Sequence, residues 1–248
     1  MGEGIQMLKK TNKELLRLQE EWLEQCDAGR LASIYPLSRP FSFGVTQHYI
    51  ESDCRIMVIG QEAKDYGSYT SDWPLPAIQQ FTVDYTDRQL GYRKTDNKYN
   101  RSPFWKLFRS LDQLGLAPAW NNVDKFHQIK DNKTTPLSLE VERQLNIPYG
   151  DDNLTLLQRE IEVAQPTAIL FVTGPYYHET MARSLGIADE QITKQLPSSD
   201  CECRNITNIC GIGLPVFWSY HPAYLQRKHK LKDTVESLAN EVMLLKRE

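Results

Sequence analysis

Apolar residues recur along this chain in two rhythms. Over residues 5 to 26, Leu8, Leu15, Leu18 and Trp22 stand at helical spacing with charges between them, which predicts an amphipathic helix. Four short runs follow the other rhythm. Arg55 to Ile59, Trp120 to Phe126, Thr167 to Thr173 and Val216 to Tyr220 read as strands, the second more polar than the first. Helical patterns separate them. One lies near residues 76 to 90. Another opens at Ser102 with Pro103 in its first position, carries Phe104, Leu107, Phe108, Leu111 and Leu114 on one face, and ends at Gly115. A third is capped by Asn153, presents Leu154, Leu157, Ile161 and Ala164, and stops at Pro166. A helix near 176 to 185 is stopped by Gly186. The last carries Val235, Leu238, Ala239, Val242 and Leu245 behind Asp233 and Glu236, which resemble a capping box. Residues 130 to 150 read as a loop with a short helix, and 201 to 209 as a candidate edge strand.

Helices alternating with short apolar strands favour a parallel sheet covered on both faces. The expected fold class is α/β, a three-layer α/β/α sandwich around a central, mostly parallel four-stranded sheet. A chain of 248 residues suits one domain, here with an N-terminal helical extension over 1–50 and an insertion over 65–100. That insertion is polar and aromatic and too long for an ordinary loop.

Composition narrows the function classes. The formal charge of −3 gives no global basic footprint, so a nucleic-acid partner would need a local patch. The densest basic cluster is Arg227-Lys228-His229-Lys230-Leu231-Lys232. Met1-Gly2-Glu3-Gly4 lacks a charged-then-apolar leader pattern, and no apolar run approaches a membrane span. A cytoplasmic protein without membrane contact is expected. Cys201, Cys203 and Cys210 lack C-x-x-C spacing, and the alternation of Cys201, Cys203 and Ile206 suits a strand with buried thiols. Neither metal nor cofactor is expected.

The candidate chemistry sits where two strand patterns stop. Val216 to Tyr220 runs into His221-Pro222, and proline both ends a central strand and holds the preceding residue extended. Arg55 to Ile59 runs into Gly60-Gln61-Glu62-Ala63. Ligands in open α/β sheets bind outside the carboxyl ends of the strands. Parallel neighbouring strands would bring the Glu62 carboxylate and the His221 imidazole to one rim. His48, His127, His178 and His229 have no motif around them.

Those two segments, with two others, carry a resemblance. Gly60-Gln61-Glu62-Ala63 and Tyr220-His221-Pro222-Ala223-Tyr224-Leu225-Gln226-Arg227 resemble the two motifs of the uracil-DNA glycosylase superfamily, the second closest to its thermophile-type branch. Arg101-Ser102-Pro103-Phe104 is similar to the segment that opens the helix after the first motif there. Asn122-Val123-Asp124-Lys125 is similar to the one that follows the second strand. The four occur in family order. The chain departs from the family at Glu62 where aspartate is common, at Ala63 where proline is common, and at Lys64 where a blocking tyrosine stands. It also lacks that branch's iron–sulfur cysteines.

The resemblance implies a monofunctional, metal-free DNA glycosylase that acts on uracil or another deaminated base. Breaking that bond leaves a cation-like sugar and an anionic base. A carboxylate can stabilise the sugar and place water, and a histidine can donate to the base oxygen. An amide can read the base edge, and an aromatic can stack on a flipped base. The resemblance assigns catalysis to Glu62 and His221, base binding to Gln61, Phe104 and Asn122, and the DNA backbone to Tyr224, Arg227 and Lys228. It implies single- or double-stranded DNA as the partner; a monomer is expected, though the sequence does not give the oligomeric state. The altered first motif leaves an alternative, a glycosylase-fold module that binds nucleic acid or nucleotide without cleavage. An unrelated flavodoxin-like nucleotide binder would need a glycine-rich phosphate loop after the first strand, and none is present.

Overall fold

The computed structural model describes residues 2–62, 67–69, 74–93, 99–131, 133–196 and 203–245. The strands are β1 (Arg55–Glu62), β2 (Ala117–Asp124), β3 (Gln128–Lys130), β4 (Lys133–Thr135), β5 (Ala168–Phe171), β6 (Cys203–Asn205) and β7 (Val216–Ser219). The helices are α1 (Glu3–Gln25), α2 (Ala28–Ile34), α3 (Gln47–Glu51), α4 (Leu75–Leu90), α5 (Pro103–Gln113), α6 (Leu139–Leu145), α7 (Leu156–Ala164), α8 (His178–Ser184), α9 (Asp189–Thr193), α10 (Thr207–Cys210), α11 (Pro222–Arg227) and α12 (Leu231–Leu245).

The fold is α/β around a mixed five-stranded sheet in the order β2-β1-β5-β7-β6. The four expected strands run parallel, and β6 adds antiparallel to β7, pairing Cys203 with Ser219. The expectation of four strands is corrected to five, because the 201–209 segment does join the edge. It spends only three residues there before turning into α10. Cys201 lies outside the described residues.

Side chains alternate across the sheet. Met57, Ile59, Ile169, Phe171, Val216 and Trp218 face one core with residues of α1, α3, α7 and α8. Ile56, Val58, Ala168, Leu170 and Phe217 face another with α5 and α12. Residues 1–50 also contribute to the first core. Phe41, Phe43 and Val45 are fully buried there, and the backbone of residues 36–41 bonds to that of 125–129.

Several local expectations shift. β2 begins at Ala117 and ends at Asp124, two residues short of Phe126, and its Pro118 is tolerated because β2 lies at the edge of the sheet. The cap of α7 is Thr155, not Asn153. Thr155 and Gln158 form a reciprocal capping box, while Asn153 takes φ 53° in the preceding turn. Asp233 sits in the first turn of α12 rather than at its cap. The 130–150 stretch contains α6 and most of the β3–β4 hairpin. α5 starts as its sequence indicates, with Ser102 capping the Trp105 amide.

Candidate functional site

The strand order reverses between β1 and β5: the chain leaves β1 toward β2 on one side and leaves β5 toward β7 on the other. Such a switch point opens a crevice at the carboxyl ends of the strands. Two side-chain bonds cross it. Gln61 donates from Nε2 to the Thr173 carbonyl at 2.7 Å. The Tyr177 hydroxyl donates to Glu62 Oε2. Tyr177 reaches Glu62 because Gly174, at φ 71°, turns the chain after β5 into a single 3₁₀ turn, Pro175–Tyr177. Burial first, then the Glu62 carboxylate, raises the Tyr177 phenol above its ordinary range, so it stays a donor.

A cleft of about 1220 Å³ opens at this edge. Gln61, Glu62, Phe104, Asn122 and His221 all line it. β1 and β7 are parallel but not adjacent, since β5 lies between them. Glu62 and His221 therefore reach one cleft across an intervening strand rather than as neighbours.

The floor is set by close approach at Gly60. A Cβ there would lie 2.6 Å from Asn122 Oδ1 and 3.3 Å from Phe104 Cε2, so only glycine lets the amide and the ring sit together. Asn122 Oδ1 accepts from Trp120 Nε1 at 3.3 Å. Indole nitrogen is a donor only, which fixes the amide's orientation. Asn122 is 2% exposed, and its Nδ2 has no partner among the described residues.

Beneath it, the Asn122 amide N–H donates to Asn121 Oδ1 at 2.8 Å, and Asn121 Nδ2 donates to Glu160 at 2.8 Å. Lys125 Nζ bonds both Asn121 and Glu160. This buried network anchors the end of β2 to α7. Burial lowers the Lys125 ammonium, and the Glu160 carboxylate opposes that.

Asp124 pairs in register with Glu62 across β1–β2 and is fully buried. Burial holds its carboxyl well above the ordinary carboxylate range, and the Glu142 and Glu62 carboxylates add to the rise.

His221 is the N-cap of α11, and its Nδ1 accepts from the Ala223 amide at 3.2 Å. In the neutral ring the proton then sits on Nε2, which makes that nitrogen the donor. Tyr224, Arg227 and Lys228 do not line the cleft. They follow His221 on α11 and just past its end, with Arg227 and Lys228 exposed. Tyr224 stacks on Tyr220 with centroids 4.4 Å apart, and Lys228 Nζ lies 5.8 Å from the Tyr224 centroid.

Sequence patterns did not single out Arg39, Tyr85, Trp105, Trp120 or Tyr177. The first four line the cleft and Tyr177 holds Glu62. Arg101, which heads the segment leading into α5, is exposed, and Ala63 and Lys64 lie outside the described residues. Among the described residues no group of three His, Cys, Asp or Glu side chains could hold a metal ion, and no helix is long and apolar enough to cross a membrane.

No family model matches the chain, and no curated protein sequence is significantly similar to it.

Proposed function

We propose that this protein is a DNA glycosylase of the three-layer α/β/α type that hydrolyses the N-glycosidic bond of uracil or another deaminated base. One observation carries the reading. Glu62, at the end of β1, and His221, at the end of β7, open onto a single cleft whose floor is Gly60, Asn122 and Phe104. Glu62 stabilises the cation-like sugar and places the attacking water, with Tyr177 orienting its carboxylate. His221 donates from Nε2 to the base oxygen as negative charge develops there. Phe104 stacks on the flipped base and Asn122 meets its polar edge. Arg227 and Lys228, exposed beyond the cleft, hold phosphates.

The test is a panel of oligonucleotides containing uracil, hypoxanthine or xanthine, incubated with the protein and then cleaved with alkali at abasic sites. Strand breaks on at least one are expected. Intact DNA on all three overturns the enzyme. Salt-dependent binding without breaks would select the alternative of a binding module.

A further inference from the structure

The insertion supplies one wall of the cleft. Ala77, Ile78, Phe81 and Tyr85 share one face of α4 by their spacing, and all four line the cleft. The cleft is larger than the roughly 300–1,000 Å³ of a small-molecule site, so one flipped base at the Gly60 floor leaves much of it unfilled.

What lines the remainder is aromatic and ordered. From Phe104 the rings step to Trp105 with centroids 5.5 Å apart, to Tyr85 at 5.2 Å, and to Phe81 at 5.7 Å. The Tyr85 hydroxyl accepts from Asn100 Nδ2 at 3.0 Å, and its ring meets Trp105 edge-on at 68°, so its plane is held. Phe81 stacks on Tyr85 at 26° and is still 49% exposed, a large apolar surface at a cleft wall. The Arg88 guanidinium lies 5.5 Å from the Tyr85 centroid, and Arg39 lines the same cleft. Planar aromatic surface with cations beside it is how proteins hold unpaired bases, because every base has a π-face.

Resting on the glycosylase reading above, we infer that Phe81 and Tyr85 form a second subsite that stacks the base next to the excised one in single-stranded DNA. The neighbour must be unpaired, since a base kept in a duplex stack cannot lie on a protein ring. The insertion therefore confers a preference for single strands.

The experiment uses the full chain and single-stranded oligonucleotides carrying a non-cleavable uracil analogue with 2-aminopurine on its 5′ or its 3′ side. Binding should quench the 2-aminopurine on one side. Phe81→Ala should abolish that quenching and raise Kd by about 5- to 150-fold, the range for losing one base–aromatic stack. Phe81→Trp should retain both. Replacing the neighbouring base by an abasic linker should make wild type and Phe81→Ala bind alike, as should a duplex. Alanine is a good helix former at an exposed position, so α4 should persist, and circular dichroism checks it. DNA binding without quenching on either side, or unchanged by Phe81→Ala, overturns the subsite and leaves the glycosylase reading standing. A wild-type protein that binds none of these oligonucleotides removes that reading and the subsite together.

Discussion

At the scale of single residues, the cleft depends on close approaches that tolerate little change. Gly60→Ala would drive a methyl to 2.6 Å from Asn122 Oδ1. The amide or the Phe104 ring must shift, and a displacement of about 1 Å in a positioned group can cost about 10²-fold in rate. Kinetics under single-turnover conditions should show a loss of that order, with the circular dichroism spectrum unchanged. Tyr177→Phe removes the hydrogen bond to the Glu62 carboxylate. A bond to a charged group contributes about 1.5–3 kcal/mol, so cleavage should fall about 10- to 150-fold while Kd for DNA holds. Equal losses in rate and affinity would show that Tyr177 shapes the fold rather than orienting the carboxylate. Gln61, Glu62, Phe104 and His221 were legible because each sits where a strand or helix pattern starts or stops, and Asn122, inside the second strand pattern, only through the motif resemblance. Tyr177 and Asp124 were not. Their nearness to Glu62 follows from the order of β1, β2 and β5 and from the Glu62–Asp124 register, and neither is written in local spacing.

At the scale of elements, β2 and α7 are joined by the buried Lys125–Glu160 pair, whose side chains are 4% and 1% exposed. Removing one partner leaves the other charge uncompensated, typically at about 3–5 kcal/mol. Lys125→Ala should lower Tm by roughly 6–20 °C, given about 2–4 °C per kcal/mol in a domain of this size. A change under 2 °C would mean the network is not holding β2 in place. The parallel strands and α5 could be read from sequence because their apolar periods and cap residues agree with the tertiary structure. The three-residue strands β3 and β4 could not, since each is shorter than the run of alternation that would reveal it, whereas β6 was legible as an edge strand within 201–209. α4 was legible as a helix. That its Phe81 and Tyr85 face the cleft was not, because both core-facing and cleft-facing surfaces are apolar.

For the whole molecule, Asp124 couples stability to pH. Burial, with Glu142 and Glu62 nearby, raises its carboxyl above the ordinary 3.8. An acid whose pKa is higher folded than unfolded contributes its full stability below the unfolded value, and that contribution is lost as pH rises through the folded one. Asp124→Asn should therefore melt above wild type near neutral pH, with the gap closing as pH falls toward 4. A gap that widened on acidification would reverse the sign and place a stabilising cation beside Asp124. The molecule as a whole carries −3, and the basic residues of its glycosylase reading are confined to the stretch that follows His221. Catalysis and phosphate binding should then separate. Arg227→Ala should weaken DNA binding with little change in the chemical step. The most direct measurement is single-turnover formation of abasic sites in uracil-containing DNA by wild type and by His221→Ala, with protein in saturating excess. The account predicts cleavage by wild type and a loss of about 10²–10³-fold in the variant, with Kd nearly unchanged and Tm lowered only by the few degrees that losing the α11 cap costs. A variant that cleaves at the wild-type rate would contradict it.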